Sequence, residues 1–141
     1  MPISKTLVLF ILISISNSLV LKSGSKNHNH FHGPVQILFL GDQGHHQPAR
    51  RVAELKAALS SQGIFITYTE DMDDLKPSYL NQYDGLMVYA NIGQIGLRQE
   101  KSILDYVSSG KAYLPIHCAS FCFQNSKPLI DLLGAQFKSH G

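Results

Sequence analysis

VQILFLGDQGHHQPARR, residues 35–51, passes from an apolar run into a polar, glycine- and histidine-bearing turn and then into a helical pattern. VQILFL is short and almost wholly apolar, as a strand buried on both faces of a parallel sheet must be. Pro48 suits the first turn of a helix. Val52, Leu55, Ala58 and Leu59 then recur at helical spacing, with Arg50, Arg51, Glu54 and Lys56 on the other side. Gly63 stands where a helix closes in a left-handed residue. The unit is a strand, a turn and a helix.

Downstream the unit is repeated in kind though not in sequence. IFITYT (64–69) is a second strand, followed by the acidic turn EDMDDLKP and a short helical piece near 78–82. GLMVYA (85–90) is a third, followed by the glycine-punctuated loop NIGQIG and a helix over 97–109 that buries Ile103, Leu104 and Val107 and ends at Gly110. KAYLPI (111–116) is a fourth, and a helical segment follows, broken near Pro128 and closing at Leu133 and Gly134. This alternation predicts an α/β fold with a doubly wound parallel sheet, right-handed crossovers and helices on both faces. The fourth strand is expected to present an open, apolar edge. The chain stops at GAQFKSHG, where another strand is due, so the expectation is the first part of a larger domain.

In 141 residues there is room for one domain, and 44% hydrophobic with 16% charged residues describes a chain that can bury a core. The formal charge of +2 is spread along the chain and makes no basic stripe, which argues against nucleic acid as a partner. Cys118 and Cys122 are four apart and outside metal-binding spacings, so two packed thiols are expected rather than a disulfide. The first residues differ from the rest. Lys5, the apolar run TLVLFILISI and the small residues Ser16 and Ser18 predict a signal peptide over 1–18, cleaved after Ser18, and a secreted or periplasmic chain. An uncleaved N-terminal anchor is the alternative, and would be the one membrane contact. Residues 19–33 read as a polar linker whose His28, His30 and His32 alternate.

Two turns carry the chemistry. Gly41, Asp42, Gly44, His45 and His46 follow the first strand: the glycines permit close backbone approach, Asp42 accepts hydrogen bonds, and paired histidines bind metal or move protons. A surface turn whose imidazoles merely cap the next helix is the plainer reading. Pro115, Ile116, His117, Cys118 and Ala119 follow the fourth strand, in the setting of a nucleophile elbow, where the residue at the bend faces solvent beside helix N–H groups. His117 has the better claim to the bend. Cys118 is either packed beneath the helix or, at a helix N-terminus, a thiol of lowered pKa.

The segments LFLGDQGHHQPARR (38–51), YDGLMVYAN (83–91), YLPIHCAS (113–120) and LLGAQFKSH (132–140) occur in an order that resembles the ThuA-like (trehalose-utilisation) domain, a branch of the class I glutamine amidotransferase-like superfamily. The resemblance covers residues 34–141 and implies a flavodoxin-like sheet of order 2-1-3-4, incomplete here, with the remainder of the domain beyond Gly141. It also implies the loss of an activity. True amidotransferases read G-x-C-x-G at the elbow, whereas Pro115-Ile116-His117-Cys118-Ala119 places His117 at the nucleophile's position and Cys118 one residue late. The His and Glu partners of that nucleophile would also fall beyond Gly141.

The site is therefore expected at the carboxyl ends of the strands, where neighbouring loops converge at the switch point of an open sheet. His117 and His46 are its candidate catalytic residues, and Asp42, His45, Asn91 and Cys118 its candidate ligand-binding residues. The resemblance supplies a carbohydrate as the substrate class. Two alternatives stand beside a sugar-active domain: a non-catalytic module that binds a glycan or a partner, and a metal-assisted hydrolase using His45, His46 and His117. No residue pattern designates a cofactor.

Overall fold

A computed structural model describes residues 33–139. The expected signal peptide and, but for Gly33, the His-rich linker lie outside the described residues. Strands β1 (Val35–Leu40), β2 (Ile64–Thr69), β3 (Gly85–Val88) and β4 (Ala112–Pro115) form one sheet of order β2-β1-β3-β4. Every pairing is parallel. Helices α1 (Pro48–Leu59), α2 (Pro77–Leu80), α3 (Leu97–Ser108) and α4 (Lys127–Leu133) fill the connections. This is the flavodoxin-like order 2-1-3-4 expected from the resemblance.

Because side chains alternate across a strand, each strand feeds two cores. Leu38, Leu40, Leu86 and Val88 face one layer with Leu75, Leu80, Tyr83, Ile103, Tyr106, Phe123 and Leu129, to which α2, α3 and α4 contribute. Ile37, Phe39, Ile66 and Met87 face the other with Val52 of α1, and Leu55 and Leu59 flank them. The first layer is the deeper: the Tyr106 hydroxyl is carried inside it and donates to the Tyr83 carbonyl at 3.0 Å. The α1 layer is thinner towards β4, where Leu114 and Ile116 remain 36% and 37% exposed.

Sequence punctuation sets most of the boundaries. Pro48 opens α1, and Gly63, Gly110 and Gly134 take positive φ at 75°, 92° and 77° after the helical segments. The expected helices need four corrections. Ala58 is exposed, because α1 crosses the sheet on the narrow stripe of Val52, Leu55 and Leu59. On α3, Tyr106 is buried with Ile103, whereas Leu104 and Val107 are only half-buried. Pro128 opens α4 rather than breaking a helix, and Ser126 caps that start by accepting from the Leu129 N–H at 3.2 Å. A 3-10 turn, His117–Phe121, takes the place of the helix expected directly after β4.

The register aligns the strand ends. Leu40 pairs with Thr69 and with Val88, and Val88 pairs with Pro115. The loops after β1, β3 and β4 consequently leave the sheet side by side along one edge.

Candidate functional site

The first loop is built around a glycine with no room for a side chain. A Cβ on Gly41 would lie 2.5 Å from Tyr68 Cε2 and 2.8 Å from Pro48 Cβ, so only glycine lets β1 run beneath the start of α1. Asp42 then closes a local turn, accepting from the Gly44 N–H through Oδ1 at 2.8 Å. Gln47 adopts the left-handed conformation (φ 53°, ψ 57°), and its carbonyl receives the Arg50 and Arg51 N–H groups. Between these two fixed points His45 and His46 are presented beyond the sheet edge.

The second loop is pinned from both sides. The Asn91 N–H donates to Asp42 Oδ2 at 2.5 Å, which ties the exit of β3 to the exit of β1. On the other side Cys122 Sγ accepts from the Ile92 N–H at 3.3 Å and donates to the Ala90 carbonyl at 3.0 Å. Further along, the Asn125 amide exchanges two hydrogen bonds with the backbone of Ile95, at 2.9 and 2.8 Å. Asn91 is therefore carried on a braced segment.

At the third loop the Ile116 N–H still pairs with the Val88 carbonyl, and the chain then turns through His117 at φ 50°. A non-glycine residue there is strained by about 1–3 kcal/mol and is found where surrounding structure holds it. The 3-10 turn that follows buries Cys118 and leaves His117 exposed. Ser120 Oγ donates to the His117 carbonyl at 3.1 Å, and the Phe137 N–H donates to the Ser120 carbonyl at 3.0 Å, bringing the last described segment against this turn.

The loops converge on a cluster of imidazoles. His45 and His46 have ring centroids 3.9 Å apart, and His46 and His117 meet edge to face at 4.7 Å. Tyr89 lies behind both, 6.1 Å from His46 and 5.9 Å from His117. A cleft of about 500 Å³ opens beside them, lined by His45, His46, Asn91, His117, Cys118, Ser120, Phe121 and Phe137. That volume lies within the range of small-molecule sites. Of the candidates drawn from sequence, His45, His46, Asn91, His117 and Cys118 line the cleft. Asp42 does not; it stands behind, with both oxygens engaged by backbone N–H groups.

Electrostatics assign states to two of these groups. Burial lowers the His46 pKa from 6.5, the charges of His45 and His117 lower it further, and Asp42 opposes them. His46 is thus a neutral imidazole at pH 7, able to accept a proton. Burial raises the Cys118 thiol, and the Asp42 charge adds to it. The lowered pKa of a helix N-terminus is not realised, because the following segment is a short 3-10 turn and the sulfur packs beneath it. Cys122 is pushed up to about 12, chiefly by burial. Both cysteines are free and buried, as their spacing suggested. His46 meets His45 at a tilt and His117 edge to face, and among the described residues no group of three or more His, Cys, Asp or Glu is arranged to hold a metal ion.

Sequence reasoning missed Tyr89, Ser120, Phe121 and Phe137. Ser120 and Phe121 follow His117 by three and four residues and so return to its side of a helical turn, a signal that was there to use. Phe137 arrives from a separate segment with no periodicity to announce it.

A family model described as ThuA, trehalose utilisation, matches residues 36–141. The chain belongs to the ThuA family. Among solved structures, a ThuA-like protein from Bacteroides uniformis ATCC 8492 is 15% identical, with a TM-score of 0.53 over 65% of this chain and 40% of that one. At that identity the likeness speaks for the fold, and this chain spans 40% of the length of that protein. No curated protein matches the chain. Within the ThuA fold of this chain, the strained bend after β4 is occupied by His117, and the neighbouring thiol is buried.

Proposed function

We propose that this ThuA domain binds a small carbohydrate in the cleft at the ends of β1, β3 and β4, and that His46 and His117 carry whatever proton transfer occurs there. The observation that carries the reading is the composition of one cleft. Two imidazoles in edge-to-face contact stand beside the Asn91 amide, the Ser120 hydroxyl and the rings of Phe121 and Phe137. Sugars present hydroxyls at their rims and C–H groups on their faces. Amide, hydroxyl and imidazole groups suit the former, and aromatic faces suit the latter. Trehalose utilisation, the family's description, supplies the first ligand to test. Glutamine hydrolysis is not expected, because the residue at the bend is His117 and the adjacent thiol is held protonated by burial. We further propose that residues 1–18 are removed on export; N-terminal sequencing that finds Met1 on the exported chain would overturn this.

A binding module without turnover is the second reading, and one observation favours it. Among the described residues no carboxylate lines the cleft, and Asp42, which stands behind it, is engaged by two backbone N–H groups. A glycosidase needs a pair of carboxylates facing the scissile bond. The described lining of this cleft therefore supports ligand binding, with or without proton transfer at a histidine.

The test is calorimetric titration of the full chain with trehalose and with glucose, for the wild type and His117→Gly. Glycine relieves the positive φ while removing the imidazole, so the fold is kept. The expected result is saturable binding of one sugar, weakened about tenfold, 1.4 kcal/mol, in His117→Gly at an unchanged or raised melting temperature. Binding of neither sugar, or equal binding by both proteins, would contradict the reading.

A further inference from the structure

We infer that Tyr89 is the positioning residue of the histidine cluster. The inference rests on the reading of the cleft as a ligand site, and it adds a residue that is neither among the site candidates read from the sequence nor in the cleft lining. Tyr89 follows β3 directly and is half-buried on the α1 side of the sheet. Its ring meets His46 at 66° with centroids 6.1 Å apart, and lies at 34° to His117 at 5.9 Å. Phe39, 1% exposed, backs it at 6.3 Å.

These two histidines need such support. His46 comes from the β1 loop and His117 from the β4 turn, and no hydrogen bond from either side chain to protein is present among the described residues. Loop backbones alone leave χ1 and χ2 of an imidazole free to turn. Tyr89 stands between the two loops because β3 lies between β1 and β4 in the sheet. A single ring at that place contacts both imidazoles and limits both sets of rotamers. Aromatic pairs at such separations prefer defined offset or edge-on arrangements, so the contact sets angle as well as distance. The backbone beneath is fixed, since the Tyr89 N–H donates to the Leu40 carbonyl at 3.0 Å. Tyr89 also lines the neighbouring groove formed with Phe39, Leu55 and Ile116, so its ring is the wall between that groove and the cluster. The ring, rather than the hydroxyl, makes every one of these contacts.

That last point sets the experiment. Tyr89→Phe keeps the ring, and Tyr89→Leu keeps the bulk but removes the aromatic face. The imidazole Hε1 and Hδ2 resonances of His46 and His117 are read by NMR on the full chain without ligand, and trehalose affinity is measured in parallel. The expected result is that Tyr89→Phe leaves both sets of resonances in place, whereas Tyr89→Leu moves both towards the positions of free histidine and weakens trehalose binding about tenfold. Unmoved imidazole resonances in a folded Tyr89→Leu protein would overturn the inference. Should that variant not fold, the wild type decides. Cross-relaxation between Tyr89 ring protons and the two imidazoles supports the assignment, and its absence refutes it. Moved resonances with no sugar bound by the wild type would refute only the carbohydrate reading; a bound sugar with no Tyr89 contact would refute only this inference.

Discussion

His46 holds the central position of the imidazole cluster, between His45 at 3.9 Å and His117 at 4.7 Å. Protonating it inside the cleft places a charge where burial and two neighbouring imidazoles oppose one, which is why its pKa falls below 6.5. The consequence for stability has a definite sign. Between 6.5 and the lowered value the unfolded chain binds a proton that the folded chain refuses, so stability is complete above that window and declines as pH falls through it. In denaturant unfolding at pH 7.5 and pH 5, His46→Gln is expected to lose less stability over this interval than the wild type; an equal loss would show that His46 does not titrate in this way. The His-bearing turns were legible at this scale because each interrupts an apolar run at the end of a strand. Tyr89 was not, because in GLMVYA an aromatic residue reads as more of the strand, and only the register shows that it lies next to two loops from elsewhere.

Between elements, the decisive contacts are those that join one loop to another. Asp42 links the exits of β1 and β3 through the N–H groups of Gly44 and Asn91. Hydrogen bonds to a charged group contribute roughly 1.5–3 kcal/mol each, and removing the acceptor leaves both donors without a partner. Asp42→Ala should therefore destabilise by about 3 kcal/mol in urea unfolding and weaken ligand binding through displacement of Asn91. A loss below about 1 kcal/mol would mean that the turn holds itself. The sequence showed Asp42 as a residue in a site; it did not show that its carboxylate would be spent on backbone forty-nine residues away. Strand and helix identities, by contrast, were written in local patterns. Ala58 and Pro128 misled for local reasons: the first fits an apolar stripe wider than the one α1 buries, and the second sits equally well at a helix start and a helix break.

Across the whole molecule the two faces of the sheet are unequally covered. The face towards α3 and α4 is packed, whereas the α1 face leaves a groove of about 420 Å³ whose floor includes Phe39, Tyr89 and Ile116. Leu114 in β4 and Ile116 just after it are exposed, and β4 is the edge strand of the described sheet. Ala112 and Ile116 donate inward to Asp84 and Val88, so Tyr113 and Pro115 occupy the outward-facing positions of β4. Pro115 has no N–H and partly blunts this edge for strand pairing, but the apolar side chains beside it remain a template for association. Residues 19–141 are expected to sediment with a concentration-dependent mass that Ile116→Lys shifts towards the monomer. A concentration-independent monomer would mean that α1 covers this face sufficiently.

The central claim is that one cleft, at the ends of three parallel strands, is where this ThuA domain meets its ligand, and amide chemical shifts report on it most directly. Titrating the isotope-labelled full chain with trehalose is predicted to move the amides of His45, His46, Asn91, His117, Ser120, Phe121 and Phe137 together, with one shared dissociation constant, and to leave α2 unmoved. Saturating sugar that moves no amide, or moves only residues away from these loops, would contradict the account.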